Sequence, residues 1–250
     1  MKRLQILLVL AALSVLMTGC RKQAYYEDTQ PTVSQTTAAA VLPYDIPTTS
    51  ATEPTEQIPT QPTVLTEPDE DAFVRILDYI PDAQQELRYA TENNFTGRQI
   101  YEFYEAYLRY GTVKKLMLAA EELAQQGLYL KIWDGFRPVS AQFKLWEVYP
   151  DPTYVANPQT GYSSHSRGNT VDLTLVDANG QELEMPTGFD DFSLKANRDY
   201  SDCTETAAAN ARILEDTMKK YGFTPYYGEW WHFSDTDSYP VEKEFQPNVG

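Results

Sequence analysis

The chain has 250 residues, enough for one or two domains, and carries 36 acidic against 20 basic side chains for a formal net charge of −16. A balance this negative disfavours nucleic acid and anionic lipid headgroups as partners. It suits solubility and a cationic or zwitterionic substrate.

Residues 1–19 have the layout of an export signal of the lipoprotein type. Lys2 and Arg3 give a positive start, and an apolar run from Leu4 to Met17 follows that is too short to span a membrane comfortably. Leu16-Met17-Thr18-Gly19-Cys20 resembles a bacterial lipoprotein cleavage box. That resemblance implies cleavage before Cys20, a lipid on its sulfur, and an extracytoplasmic protein anchored to the cell membrane. Cys203 is the only other cysteine, so lipidation of Cys20 leaves it without an intramolecular partner and makes it a structural thiol. Residues 20–68 are rich in Thr, Pro, Gln and Glu, and Arg21–Pro68 contains no glycine. Such a tract buries too little apolar surface to fold and reads as an extended linker.

From residue 69 to 250 the pattern is that of a single folded domain. A short helix is expected over Asp71–Ile80, stopped by Pro81. The spacing of Val113, Leu116, Met117, Ala120, Leu123 and Ala124 predicts a helix over Gly111–Gln126, ended by Gly127. Leu128–Trp133 alternates as a strand, and Pro138–Val148 predicts a helix with proline in its first turn. A strand is expected over Asn169–Val176, followed by a turn at Asp177–Gly180. A second long helix is expected over Glu205–Tyr221, closed by Gly222. Phe223–Tyr227 and Trp230–Ser234 read as final strands joined tightly through Gly228. Helices and hairpin-type strands interleave without a repeating β-α-β period. The expected class is therefore α+β, with a small, mostly antiparallel sheet packed by helices.

The chain has two histidines, and both fall in metal-site contexts. His165 stands seven residues before Asp172, and His232 closes Glu229-Trp230-Trp231-His232. Two imidazoles and a carboxylate are a ligand set for one zinc that leaves a position open for water, and Glu229 is placed to be the general base. In a regular strand Glu229 and His232 would face opposite sides, so this reading requires a bend, for which Gly228 is a candidate.

These stretches resemble the zinc D-alanyl-D-alanine dipeptidases, the vancomycin-resistance type within the zinc D,D-peptidases. The resemblance is carried by Ser163-x-His165-x-x-Gly168 ending on Asp172, and by Glu229-Trp230-Trp231-His232. Arg88–Gly97, Asp134-Gly135-Phe136-Arg137-Pro138 and Met185–Asp190 agree with it. It implies a hydrolase holding one zinc per subunit on His165, Asp172 and His232, with Glu229 as base and acid. Arg137 would stabilise the oxyanion, Asp190 would bind the substrate's free ammonium, and Ser163 would line the substrate pocket. The implied partner is a small peptide, D-Ala-D-Ala or a wall peptide. A D,D- or L,D-carboxypeptidase trimming wall peptides is the alternative enzyme, and a non-catalytic zinc module binding wall peptides is the alternative of another class. Two departures stand out: Thr170 replaces the usual alanine, and in Met185–Asp190 the glycine falls late, with proline in its place.

Overall fold

The structure is a computed structural model and describes residues 67–249. The signal segment, Cys20 and nearly all of the linker lie outside the described residues. In chain order the elements are β1 (Phe73–Arg75), α1 (Ile76–Tyr79), β2 (Gln84–Gln85), β3 (Tyr107–Arg109), α2 (Tyr110–Ala124), β4 (Leu128–Asp134), α3 (Val139–Val148), β5 (Thr170–Asp177), α4 (Glu205–Lys220), β6 (Phe223–Pro225) and β7 (His232–Asp235). Single 3-10 turns occupy Arg88–Ala90, Ser164–Arg167 and Leu194–Ala196. The class is α+β, as the interleaving of elements predicts.

The main sheet has the order β2-β4-β5-β7-β6, with β2 parallel to β4 and every other pair antiparallel. A separate two-stranded ribbon joins β1 to β3. Val171, Leu173 and Leu175 of β5 belong to one core with Val113, Leu116 and Leu123 of α2 and Ala211, Leu214 and Met218 of α4. Strand alternation sends Thr170, Asp172 and Thr174 to the other face, where they too are buried. An apolar face against helices and a polar face under loops is the arrangement that seats a site on this sheet.

Two expectations are corrected. Asp71–Ile80 is not one helix: Phe73–Arg75 pairs with Tyr107–Arg109, and only Ile76–Tyr79 winds. The Phe73 ring stacks on Phe245 at 4.2 Å and packs against Phe136, tertiary contacts that override local helix preference. The last hairpin is also looser than its sequence suggests. β6 stops at Pro225, which has no N–H to continue a ladder, and β7 starts at His232 instead of Trp230. The Trp230 N–H is taken by Ala196 O at 3.0 Å, so residues 226–231 form a loop. Gly127 and Gly222 end α2 and α4 with φ of 72° and 88°, as expected of helix-terminating glycines.

Candidate metal centre and active site

Register builds the centre. Asp172 of β5 lies directly opposite His232 of β7, and on its other side opposite Asp134 of β4. Residues directly opposite on neighbouring strands share a face, so one rung of the sheet carries all three side chains. His165 arrives from the 3-10 turn Ser164–Arg167. Ser163 caps that turn, its Oγ accepting from His165 N at 3.3 Å, and Gly168 ends it at φ 74°. A side chain at Gly168 would run into the Phe73 ring, so glycine is required both by conformation and by space.

His165 Nδ1 donates to Gly135 O at 2.8 Å, which turns Nε2 inward. Nε2 stands 3.3 Å from Asp172 Oδ2 and 3.4 Å from His232 Nδ1, and that Nδ1 stands 3.0 Å from Asp172 Oδ1. Nitrogen and oxygen ligands at zinc bond lengths near 2.0–2.1 Å in tetrahedral geometry lie about 3.3 Å from one another. The donor set therefore fits one such ion. Asp172 Oδ1 is buried yet accepts no well-aligned hydrogen bond, an unmet acceptor that a cation would satisfy. Burial alone would raise the Asp172 carboxyl, but the His165 and His232 imidazoles outweigh it and hold it below the ordinary carboxylate range.

Glu229 lies in the turn that leads into β7, where His232 N donates to Glu229 O at 3.3 Å. The required bend is this turn itself. It lets Glu229 Oε2 come within 3.5 Å of His232 Nδ1, which two strand residues three apart would not allow. Burial raises the Glu229 carboxyl to about 7; His232 opposes the shift, and Asp172 and Asp190 add to it. Trp230 and Trp231 are both fully buried and pack edge to face, so they fix the turn from beneath. Trp231 also forms part of the cavity wall.

A cavity of about 250 Å³ opens over these groups, and Arg137, Ser163, Asp190, Glu229 and all three candidate ligands line it. Arg137 is buried and rigidly held. Its Nε and Nη2 donate to Asp134 Oδ2 at 3.1 and 2.7 Å, and its Nη1 donates to Gln142 Oε1 at 3.0 Å. Asp134 is itself fixed by Tyr101 Oη at 2.7 Å and by Gly135 N at 2.9 Å. The pairing of Arg137 with Asp134 and its exposure to the cavity are thus one arrangement: the acid aims the cation.

Asp190 sits at another wall of the cavity with φ 57°, a left-handed conformation that Asp tolerates better than most residues. Tyr89 Oη donates to both carboxylate oxygens, at 3.0 and 3.3 Å, and the Arg137 guanidinium lies 5.0 Å from the same tyrosine ring. Burial pushes the Asp190 carboxyl up to about 8; Asp172 adds to the shift, and Arg137 and the Tyr89 hydroxyl oppose it. The loop before Asp190 is tied to the centre through Trp230 Nε1, which donates to Thr187 Oγ1 at 2.9 Å. The hydroxyl of Thr170, the other departure, finds Ser234 Oγ at 2.9 Å, so its burial costs little.

Every candidate site residue within the described segment meets in this one cavity. Sequence reasoning missed Tyr89 as a partner of Asp190. Its position inside Arg88–Gly97, one of the stretches carrying the resemblance, was the available signal. It also missed the aromatic wall of Phe95, Tyr154 and Phe192, and Tyr226 at the mouth. Cys203 is half-buried against the core, with Sγ near Tyr200 O at 3.6 Å, outside the cavity lining.

The family model described as D-ala-D-ala dipeptidase matches residues 69–248. A D-alanyl-D-alanine dipeptidase of Escherichia coli is 37% identical over 163 residues, covering 64% of this chain and 84% of that one. The protein of the same name from Enterococcus faecalis is 33% identical over 194 residues, covering 68% and 95%. Among solved structures, a vancomycin resistance D,D-pentapeptidase in complex with Zn(II) aligns over 53% of this chain and 74% of its own, with a TM-score of 0.34 and 16% identity. With the family model spanning nearly all the described residues, this chain belongs to the D-Ala-D-Ala dipeptidase family of metallopeptidases.

Proposed function

We propose that the chain is a zinc-dependent dipeptidase that cleaves free D-Ala-D-Ala outside the cytoplasmic membrane, anchored by a lipid on Cys20 and serving peptidoglycan metabolism. One observation carries the catalytic part: two imidazoles and a carboxylate converge on a common point, with Glu229 and Arg137 facing the same cavity.

His165, Asp172 and His232 would hold the zinc, which would supply a Lewis acid and make water nucleophilic at neutral pH. Glu229 removes the proton from the attacking water and delivers it to the leaving amine. Arg137, fixed by Asp134 and Gln142, presents a positive charge to the oxygen that becomes anionic as the amide carbonyl turns tetrahedral. Such a preorganised charge acts with little reorganisation. Asp190 and Tyr89 form an acceptor for the substrate ammonium, and Ser163 lines the pocket beside His165. A requirement for a free amine is what separates a dipeptidase from a carboxypeptidase.

Hydrolysis of D-Ala-D-Ala and of N-acetyl-D-Ala-D-Ala, each with and without a strong chelator, tests this reading. Cleavage of the free form alone, abolished by chelator and restored by zinc, is the expected result. Preference for the blocked form moves the assignment to a carboxypeptidase, and cleavage of neither leaves a binding module.

The membrane anchor rests on Leu16–Cys20 and on the composition of residues 20–68. Among the described residues no helix is long and apolar enough to cross a membrane. In a bacterial host a fatty-acid probe should label the protein and should not label Cys20→Ser. Absence of label on the unaltered protein would remove the lipid. An exported enzyme would meet wall fragments and dipeptide outside the cell, so recovery of D-alanine or processing of wall peptides is the role that fits.

A further inference from the structure

We propose that Arg198 is a positioning residue that holds the loop carrying Glu229 and leading into His232, and through it sets both turnover and metal affinity. The inference rests on the catalytic reading of Glu229 given above. β6 ends at Pro225, and the chain leaves the sheet until His232. A loop of this kind at the mouth of a cavity would be free to shift the base and a ligand together. The Arg198 guanidinium closes its two ends: Nε donates to Tyr226 O at 2.8 Å and Nη2 to His232 O at 2.9 Å. The backbone beside it does the same work along the loop, with Arg198 N donating to Tyr227 O and Trp230 N to Ala196 O, both at 3.0 Å.

The guanidinium is in turn referenced to the core. Its Nη1 reaches Glu215 Oε2 of α4 at 3.2 Å, its Cζ lies 4.4 Å from the centre of the Phe233 ring, and its side chain is only 5% exposed. Glu215 Oε2 also accepts from Tyr200 Oη at 2.7 Å. Tyr200 has φ 55°, a left-handed conformation unfavourable for an aromatic residue, which persists where the surroundings fix it. The planar fork of arginine can satisfy two carbonyls and a carboxylate at once. A lysine ammonium in this place cannot span them.

The test uses the zinc-loaded protein with Arg198→Lys and Glu215→Gln. It measures kcat and KM on the dipeptide that the unaltered protein cleaves, zinc affinity by chelator competition, and Tm. Groups that orient metal ligands typically change affinity or activity by about 10–100-fold when altered, so Arg198→Lys should lower kcat and zinc affinity by about that much, with KM within about threefold. Glu215→Gln should move kcat and zinc affinity the same way by a smaller factor, and it decides the matter if Arg198→Lys does not fold. A purely structural brace would lower Tm and leave kcat and zinc affinity of the folded protein unchanged. That outcome overturns the proposal. If the unaltered protein cleaves no peptide, the role of Glu229 falls, and the zinc affinities alone decide whether Arg198 positions His232.

Discussion

Glu229→Gln should retain zinc and lose about 10²–10⁴-fold in kcat, the range that a positioned general acid–base contributes, with little change in KM. Glutamine fills the same space in the turn before β7 and leaves His165, Asp172 and His232 untouched, so the ion should be bound at one per chain. What disappears is, among the described residues, the one carboxylate at the cavity free to exchange a proton with an attacking water. Asp172 faces both imidazoles as a candidate ligand, Asp134 is closed off by Arg137, Tyr101 and Gly135 N, and Asp190 is bonded to Tyr89. Zinc content by atomic absorption, together with kcat and KM, checks the result. A variant retaining more than about a tenth of the parent turnover would exclude Glu229 as the base, since a positioned general base typically contributes about 10²-fold or more.

The candidate metal centre was legible in the chain because histidine is scarce in it. Two imidazoles, each a fixed distance from a carboxylate, left few ways to assemble a site, and the alternation of residues 169–176 put Asp172 on the side opposite the apolar core. The Asp172–His232 register that brings the halves together was not legible. Strand pairing depends on which edge of β5 remains free once β4 has taken the other. The long amphipathic helices α2 and α4 were readable for the same local reason as β5. The strands Phe73–Arg75, Gln84–Gln85 and Tyr107–Arg109 were not, since two or three residues carry no period and their pairing is fixed by distant partners.

The polar side of the site divides in the same way. Arg137 and Asp134 sit three apart, so their pairing could be expected from the turn alone. The contact between Tyr89 and Asp190 spans 101 residues and exists only after the Arg88–Ala90 turn and the Met185–Asp190 loop have packed around Phe189. Glu229 shows the limit most clearly. Its identity was readable, but strand geometry would have pointed it away from His232. The local turn and the backbone bonds to Ala196 and Arg198 are what bring it round.

Asp190→Asn should collapse the preference for a free amine. A charge pair broken in a largely desolvated site costs about 2–5 kcal/mol, so kcat/KM for D-Ala-D-Ala should fall by about 30-fold or more. Cleavage of N-acetyl-D-Ala-D-Ala, which brings no ammonium, should stay the same or rise, and the ratio of the two rates is the measurement. An unchanged ratio would place the ammonium elsewhere in the cavity. The same substitution should stabilise the chelator-treated protein. The Asp190 carboxyl is pushed up to about 8 when folded, chiefly by burial and by Asp172, while an unfolded carboxyl titrates near its ordinary value of 3.8. Between those two values the folded state binds more protons than the unfolded one, so this group's contribution to stability is full below pH 4 and is lost as pH rises toward 8. Asparagine has no such loss, so the variant's advantage in urea unfolding should be small near pH 4 and grow steadily as pH rises toward 8. A carboxylate that weakens the empty protein and is kept for the charge it offers a substrate is the trade expected of a binding residue. A surface acid would show neither the pH-dependent gain nor the change in amine preference.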